Sequence, residues 1–353
     1  MRVLITGASG FAGRHLSSAC AKAGDEVIGL SRSGGMTQGA GEGRAVDLCD
    51  GAAVRRAFRD AAPETVYHLA ALSSVGRSWE DPARTVTDNV GSAVSVLEAL
   101  RTEAPDARVV WVSSCEVYGA PSALPVKETA PVKPANPYAV SKTTGDLLAG
   151  VYARAHGLEI LRARPFNHAG PGQLPIFIVS SLARQAAQAR IRGARAIRIV
   201  TGNPDTRRDF TDVRDVVRAY RLLAQSNDSG VSGERGVSGE PAVPDERGVP
   251  GKRGGSDAAR EAGIYNVSSG VSLSANDQVR LLAELIAPIE VEHVVDPARV
   301  RAHEVMDLRG SHDRLTATTG WIPEIPLKYT IADTIAWWEQ ELTDQEHDGE
   351  RPR

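Results

Sequence analysis

Up to about residue 160, short apolar runs rich in Val and Ile alternate with stretches of helical periodicity. No other feature restricts the fold as much. Val3–Ile5, Val27–Leu30, Val66–Leu69 and Val109–Val112 read as strands buried on both faces. Gly13–Ala23 and Asp88–Glu103 read as helices, and in the second Val90, Val94, Leu97 and Leu100 recur at helical spacing. Such alternation demands a parallel sheet covered by helices on both sides. The predicted class is α/β, a Rossmann-type doubly wound parallel sheet.

The second half is more mixed. Helices are expected over Ile176–Arg192, over Val213–Leu223 behind the N-cap Asp212, and over Ser274–Ile286 behind a Ser cap. Ala196–Val200 and Ile264–Val267 read as strands, and Trp337 and Trp338 as core packing in a closing helix. Residues 226–263 are rich in Gly, Pro, Ser and charge, with almost no large apolar side chain. Such a stretch cannot offset the entropy of its own ordering, so it reads as a disordered surface insertion. Its glycines keep no strict period of three, which argues against a collagen helix.

Composition excludes several classes of function. Lys plus Arg total 41 against 44 for Asp plus Glu, a net charge of −3, so no basic field points to nucleic acid. Three scattered cysteines, Cys20, Cys49 and Cys115, make no disulfide framework and no zinc spacing, so no metal is expected. MRVLIT runs straight into a strand, leaving no room for a signal peptide, and no apolar run approaches the roughly 18 residues of a membrane span. A cytoplasmic protein is expected.

TGASGFAG follows the first strand and opens the first helix, with Gly7, Gly10 and Gly13 at intervals of three. Residues without Cβ let the backbone turn tightly and approach a pyrophosphate, whose charge then faces N–H groups at the helix N-terminus. This position, directly after the first strand, is what makes a dinucleotide loop of an otherwise weak pattern. Phe11 and Ala12 complete it. Arg32 follows the second strand, where an acidic residue would hold the ribose of NAD and an arginine suits the 2′-phosphate of NADP. NADP(H) is therefore expected, with NAD(H) as the alternative. Asp47 and Leu48 are placed against the adenine, and Leu69, Ala70 and Ala71 beside the cofactor.

Tyr138 and Lys142 form Tyr-x-x-x-Lys on one helical face behind Pro137. A free phenol has a pKa of about 10, and a nearby ammonium favours the phenolate, equipping Tyr138 to exchange a proton with a carbonyl or hydroxyl. Lys142 also suits the nicotinamide ribose. Ser113 and Ser114 end the fourth strand, where open α/β sheets place their sites, and the Ser114 hydroxyl can hold the substrate oxygen. Cys115 reads as a small filler. Glu116 reads either as a base at a sugar carbon or as a hydrogen-bond acceptor behind the site.

Taken together, TGASGFAG, the HLAA run from His68, Asn89, VSSCEVYG and PYAVSK resemble the extended short-chain dehydrogenase/reductase family over nearly the whole chain. His68 itself reads as strand-end structure. RPFNHAGPGQ, GNPDTRRDFTDVRDVVRAY, YNVSSG and DPARVRAHEV are similar to segments of GDP-4-dehydro-6-deoxy-D-mannose reductases. GDP-mannose 4,6-dehydratases share several of these segments but usually lack Gly-Pro-Gly-Gln after Asn-His.

The resemblance implies a 4-ketosugar reductase taking a GDP-linked 6-deoxy-4-ketohexose. Asn167 and Arg208 would contact the sugar diphosphate, and Arg301 and Glu304 the nucleotide end. It implies a homodimer built on the helices Asp88–Glu103 and Pro137–Ala155. It implies a cofactor domain of residues 1–165 and 204–267, a smaller mixed α/β substrate lobe of 166–203 and 268–343, and a polar tail from 344. Ala302-His303 departs from the reductase pattern. The alternatives are a dehydratase or epimerase with tightly bound NADP, kept open by Glu116, and a non-catalytic NADP-sensing protein.

Overall fold

A computed structural model describes residues 1–36, 39–228, 230, 263–300 and 305–349. Seven strands form one sheet: β1 (Arg2–Thr6), β2 (Glu26–Ser31), β3 (Glu42–Ala45), β4 (Thr65–His68), β5 (Arg108–Val112), β6 (Ile160–Pro165) and β10 (Ile264–Val267). The order is β10-β6-β5-β4-β1-β2-β3, and every neighbouring pair is parallel. The doubly wound sheet expected from the alternation is present. Strand order reverses between β1 and β4, and the crevice beyond their C-terminal ends is where such sheets bind ligands.

Both faces are covered, which is why the strands read as continuous apolar runs. On one face lie α2 (Gly51–Ala61), α4 (Pro82–Glu103) and α5 (Pro137–His156), whose Phe58, Leu97 and Ala149 pack against Leu4, Val109 and Trp111. On the other, α1 (Phe11–Lys22) and α7 (Val213–Gln225) bring Leu16 and Tyr220 against Val3, Ile5 and Val110. Successive residues of β1 thus go to opposite cores, as the period of a strand requires.

The caps act as the sequence implies. The Asp50 carboxylate accepts from Ala52 and Ala53 N–H, both at 3.0 Å, to start α2. Asp212 accepts from Arg214 N–H at 2.8 Å to start α7. Ser274 and Asp277 form a capping box on α8 (Ala275–Ile286).

The smaller lobe has its own core. α6 (Ile178–Ile191), α8 and the closing helix α10 (Leu327–Gly349) pack around Leu182, Leu282, Ile331 and Trp338. Trp338 is buried and edge-on to Trp337, and its indole N–H donates to Ser180 Oγ at 3.0 Å. β8 (Ala196–Thr201) pairs in parallel with β12 (Glu290–Val295). β9 (Arg207–Asp212) lies between β11 (Ser272–Ser274) and β13 (Asp307–Leu308), and β7 (Asn167–Ala169) also pairs with it.

Residues 207–212, grouped above with the first domain, form a strand of the small sheet, because the Phe210 side chain packs in the lobe core. The chain crosses back only at Val213. Leu315 on α9 (Asp313–Thr319) and Trp321 belong to the core of the large sheet. The last helix continues to Gly349, into the stretch read as a tail. Nearly all of the 226–263 insertion lies outside the described residues. Its two flanks meet: a Cβ on Gly263 would fall 2.7 Å from Gly230 Cα, and both glycines sit against the Ile160 carbonyl.

Candidate active site

The glycine loop connects β1 to α1. Gly7 has φ +75°, where an L side chain is strained, and a Cβ there would stand 2.9 Å from Ala70 N. A Cβ on Gly10 would be 3.1 Å, and one on Gly13 only 2.1 Å, from the Gly7 carbonyl oxygen. The loop is thus folded tightly on itself and pressed against the Leu69–Ala71 segment beyond β4. No side chain caps α1: its N-cap is Gly10, leaving the first N–H groups, those of Phe11, Ala12 and Gly13, to an outside acceptor. This cradle fits a dinucleotide pyrophosphate.

Leu69 N–H donates to Thr6 O at 3.2 Å and Ala70 N–H to Thr6 Oγ1 at 3.4 Å. His68 ends β4, buried, with Nδ1 hydrogen bonded to Thr6 Oγ1 at 2.9 Å, and burial pushes its imidazole down to about 3. It is a neutral structural group, as expected. Arg32 is exposed just beyond β2, and Leu48 is buried beside exposed Asp47, whose Oδ1 accepts from Cys49 N–H at 3.0 Å.

β5 delivers Ser113 and Ser114 to the C-terminal edge of the sheet, and α5 lays Tyr138 and Lys142 beside them, all four buried. Asn136 starts α5 by accepting from Ala139 N–H at 2.7 Å, and Pro137 supplies the preset φ of the first turn. Ser114 Oγ accepts from Glu116 N–H at 3.2 Å. Lys142 Nζ donates to the Val112 carbonyl at 2.6 Å.

The spacing leads one to expect Lys142 to lower the Tyr138 phenol, and here the structure differs. Burial dominates and pushes the phenol above its usual range, with the Ser114 hydroxyl opposing. Burial also pushes Lys142 down, to about 8. Cys115 is a buried free thiol pushed up by desolvation, a filler as expected. Glu116 Oε2 accepts from Asn136 Nδ2 at 2.9 Å, which ties it to the cap of α5.

The segments that carry Asn167 and Arg208 meet this turn through an apolar cluster of Phe166, Cys115, Val117, Tyr118 and Leu308. Phe166 precedes half-buried Asn167, and Leu308 pairs with Arg208. Arg208 Nη1 donates to the Arg207 and Val305 carbonyls at 2.8 and 2.7 Å. The His168 ring stacks on Phe11 at 5.8 Å, and His15 Nε2 is hydrogen bonded to the Pro171 carbonyl at 2.8 Å, so the glycine helix and the Asn167 segment touch directly. Arg301 and Glu304 lie outside the described residues.

Two groups were given no role from the sequence. Asn89 is buried on α4: its Oδ1 accepts from Leu72 N–H at 2.7 Å and its Nδ2 donates to Ser141 Oγ at 2.9 Å, fixing the Leu69–Leu72 loop to α5. The buried Asp209 carboxylate accepts from the N–H groups of Ser269, Gly270 and Gly310 at 2.8, 3.0 and 3.2 Å, which ties three segments beside Arg208. The RDF and YNVSSG segments were noticed, but nothing in them announces that pairing. Among the described residues no group of three or more His, Cys, Asp or Glu could hold a metal, and no helix is long and apolar enough to cross a membrane.

The NAD dependent epimerase/dehydratase family matches residues 3–238. Among curated proteins, the GDP-6-deoxy-D-mannose reductase of Pseudomonas aeruginosa is 34% identical over 346 residues, covering 98% of this chain and 99% of that protein. The GDP-mannose 4,6-dehydratase of Yersinia enterocolitica is 26% identical over 302 residues, covering 82% and 77%. Among solved structures, RMD from Pseudomonas aeruginosa complexed with NADPH superposes with a TM-score of 0.76 at 33% identity, covering 97% of this chain and all of that one.

Proposed function

This chain belongs to the NAD dependent epimerase/dehydratase family, and from that premise we propose that it reduces the C4 ketone of GDP-4-dehydro-6-deoxy-D-mannose with NADPH, giving GDP-D-rhamnose or its C4 epimer. The observation that carries this reading is the burial of Ser114, Tyr138 and Lys142 together at the sheet edge that follows the glycine cradle, in a chain 34% identical over nearly its whole length to a GDP-6-deoxy-D-mannose reductase.

NADPH held by the glycine cradle would supply the hydride for C4 of the sugar. The Ser114 hydroxyl donates to the ketone oxygen and fixes its position. The Tyr138 hydroxyl gives that oxygen its proton as negative charge develops, and Ser114 stabilises the phenolate left behind. The Lys142 ammonium holds the nicotinamide ribose and offsets the phenolate charge. Glu116 keeps the α5 N-terminus in place through Asn136. Backbone N–H groups of Gly7 through Gly13 receive the pyrophosphate, Arg32 the 2′-phosphate, Asp47 and Leu48 the adenine, and Leu69, Ala70 and Ala71 flank the cofactor. Asn167 and Arg208 take the sugar diphosphate, and Arg301 and Glu304 the nucleotide end.

The enzyme acts in the cytoplasm as a homodimer. α4 and α5 meet the second copy through Val94, Val140, Leu147 and Val151, which stand exposed along them. Purified protein given GDP-4-dehydro-6-deoxy-D-mannose and NADPH should lose absorbance in the reduced-nicotinamide band and yield a GDP-6-deoxyhexose. An unchanged band sinks this reading. Turnover of GDP-mannose without added NADPH would favour the dehydratase, in which Glu116 acts as the base.

A further inference from the structure

The turn that follows Asn167 is held to the cofactor helix by two ring-bearing side chains that no step above employs. Phe11 and His15 lie four residues apart on α1 and so share a face, both half-buried. His15 Nε2 donates to the Pro171 carbonyl at 2.8 Å; a carbonyl only accepts, so this nitrogen carries the hydrogen. The Phe11 ring meets the His15 ring edge-on at 5.6 Å and stacks on the His168 ring at 5.8 Å, the last two planes only 6° apart. A Cβ on Gly170 would stand 3.9 Å from Phe11 Cζ, so the turn approaches that ring through its backbone as well.

The middle of this turn is sparsely packed. Its start, Asn167–Ala169, pairs with β9. Gln173 closes its far end, donating Nε2 to the His168 carbonyl at 2.9 Å and its N–H to the Gly170 carbonyl at 3.3 Å. Between them Gly172 has φ +88°, and a Cβ there would meet nothing within 4 Å; Leu174 just beyond is 61% exposed. Such a segment belongs to the low-stability part of a fold, where order depends on what holds it. What holds it is the first turn of α1, whose Phe11, Ala12 and Gly13 N–H groups are left to an outside acceptor. A pyrophosphate on those groups fixes the start of the helix, and with it the Phe11 ring and the His15 imidazole one turn on. A segment ordered in this way by one ligand costs less to order when a second arrives.

We propose that His15 is a positioning residue that passes occupancy of the glycine cradle to residues 167–173, so that cofactor binding readies Asn167 for the sugar nucleotide. The consequence for Asn167 rests on the reductase reading. The relay itself is tested with a cofactor fragment and no sugar, so the two fail separately.

The probe is 2′-phospho-ADP-ribose, which keeps the pyrophosphate and 2′-phosphate of NADP and lacks the nicotinamide, so no nicotinamide contact can protect the turn. Amide hydrogen exchange is followed by mass spectrometry with and without it. In wild type the probe should slow exchange by about fivefold or more both in residues 7–13 and in residues 167–173. His15→Leu, which keeps an apolar edge against Phe11 and loses the donor, should retain the first protection and lose the second. His15→Gln, whose amide nitrogen reaches about as far as the imidazole Nε2, should restore it. A merely structural His15 would lower the melting temperature of His15→Leu and leave the slowing of residues 167–173 in place, which would overturn the proposal. A wild-type turn that the probe leaves unslowed while residues 7–13 are slowed overturns it too, and leaves the reductase reading standing. Slowing in neither segment defeats the relay and the cradle together. If His15→Leu fails to fold, His15→Asn, whose amide stops short of Pro171, takes its place and is held to the same outcomes.

Discussion

Gly13→Ala puts the cofactor cradle to its hardest test. The added Cβ would lie 2.1 Å from the Gly7 carbonyl oxygen and 2.9 Å from Ala8 Cα, both backbone atoms. Ordinary carbon contacts sit at about 3.5 Å, so the loop and the helix must part by roughly 1 Å. Gly7 has little room to give way, because its positive φ already turns it against Ala70 N. Overpacking of this kind costs about 1–3 kcal/mol. If the strain is taken up by the loop that receives the pyrophosphate, NADPH affinity falls by about fivefold to 150-fold. Fluorescence titration with NADPH measures this, with a melting curve on the same sample to show that the fold is retained. Gly51→Ala, at the start of α2 with no neighbouring atom closer than 3.5 Å, serves as the control and should bind as wild type does. A Gly13→Ala protein that also binds like wild type would refute the cradle.

Other perturbations separate the remaining parts. Tyr138→Phe removes the proton donor and should lower turnover of the keto-sugar by about 10²–10⁴-fold while the melting temperature holds; residual turnover near wild type would shift the acid to another group. Arg32→Ala deletes a charge-assisted contact worth about 1.5–3 kcal/mol, so the preference for NADPH over NADH should fall by roughly 10–150-fold when both dissociation constants are compared. Replacing residues 231–262 by a two-glycine link should leave turnover and NADPH affinity unchanged. Gly230 and Gly263 already meet at the start of β6, about 17 Å along the sheet from the edge that carries Ser114. Loss of turnover in a folded deletion protein would contradict that placement.

What could be read in advance followed hydrophobicity and local chemistry. β1, β2, β4 and β5 are plain apolar runs buried on both faces, and the glycine loop is fixed by where it falls. β6 escaped notice. ILRARP looks half-exposed because arginine is rarely buried, and only tertiary structure reveals that Asp146 from α5 neutralises it. The small sheet escaped for a similar reason: β9 reads RRDFTD, a charged string whose Asp209 is satisfied by N–H groups from two distant loops. Tyr138 and Lys142 were found by spacing, but spacing carries no information about desolvation. The direction of the phenol shift therefore came out opposite to expectation. Arg301 and Glu304, suggested by resemblance, fall outside the described residues.

The buried arginines of β6 also bear on how this chain folds. β6 stands between β5 and β10, and β10 arrives only at residue 264. Until β10 docks, β6 is an open edge, and the ion pair of its Arg164 waits for Asp146 of α5. Closing that side of the sheet therefore depends on long-range pairing, which is intrinsically slow. β1 to β5 lie within the first 112 residues, whereas the strand that covers β6 begins only at residue 264 of 353.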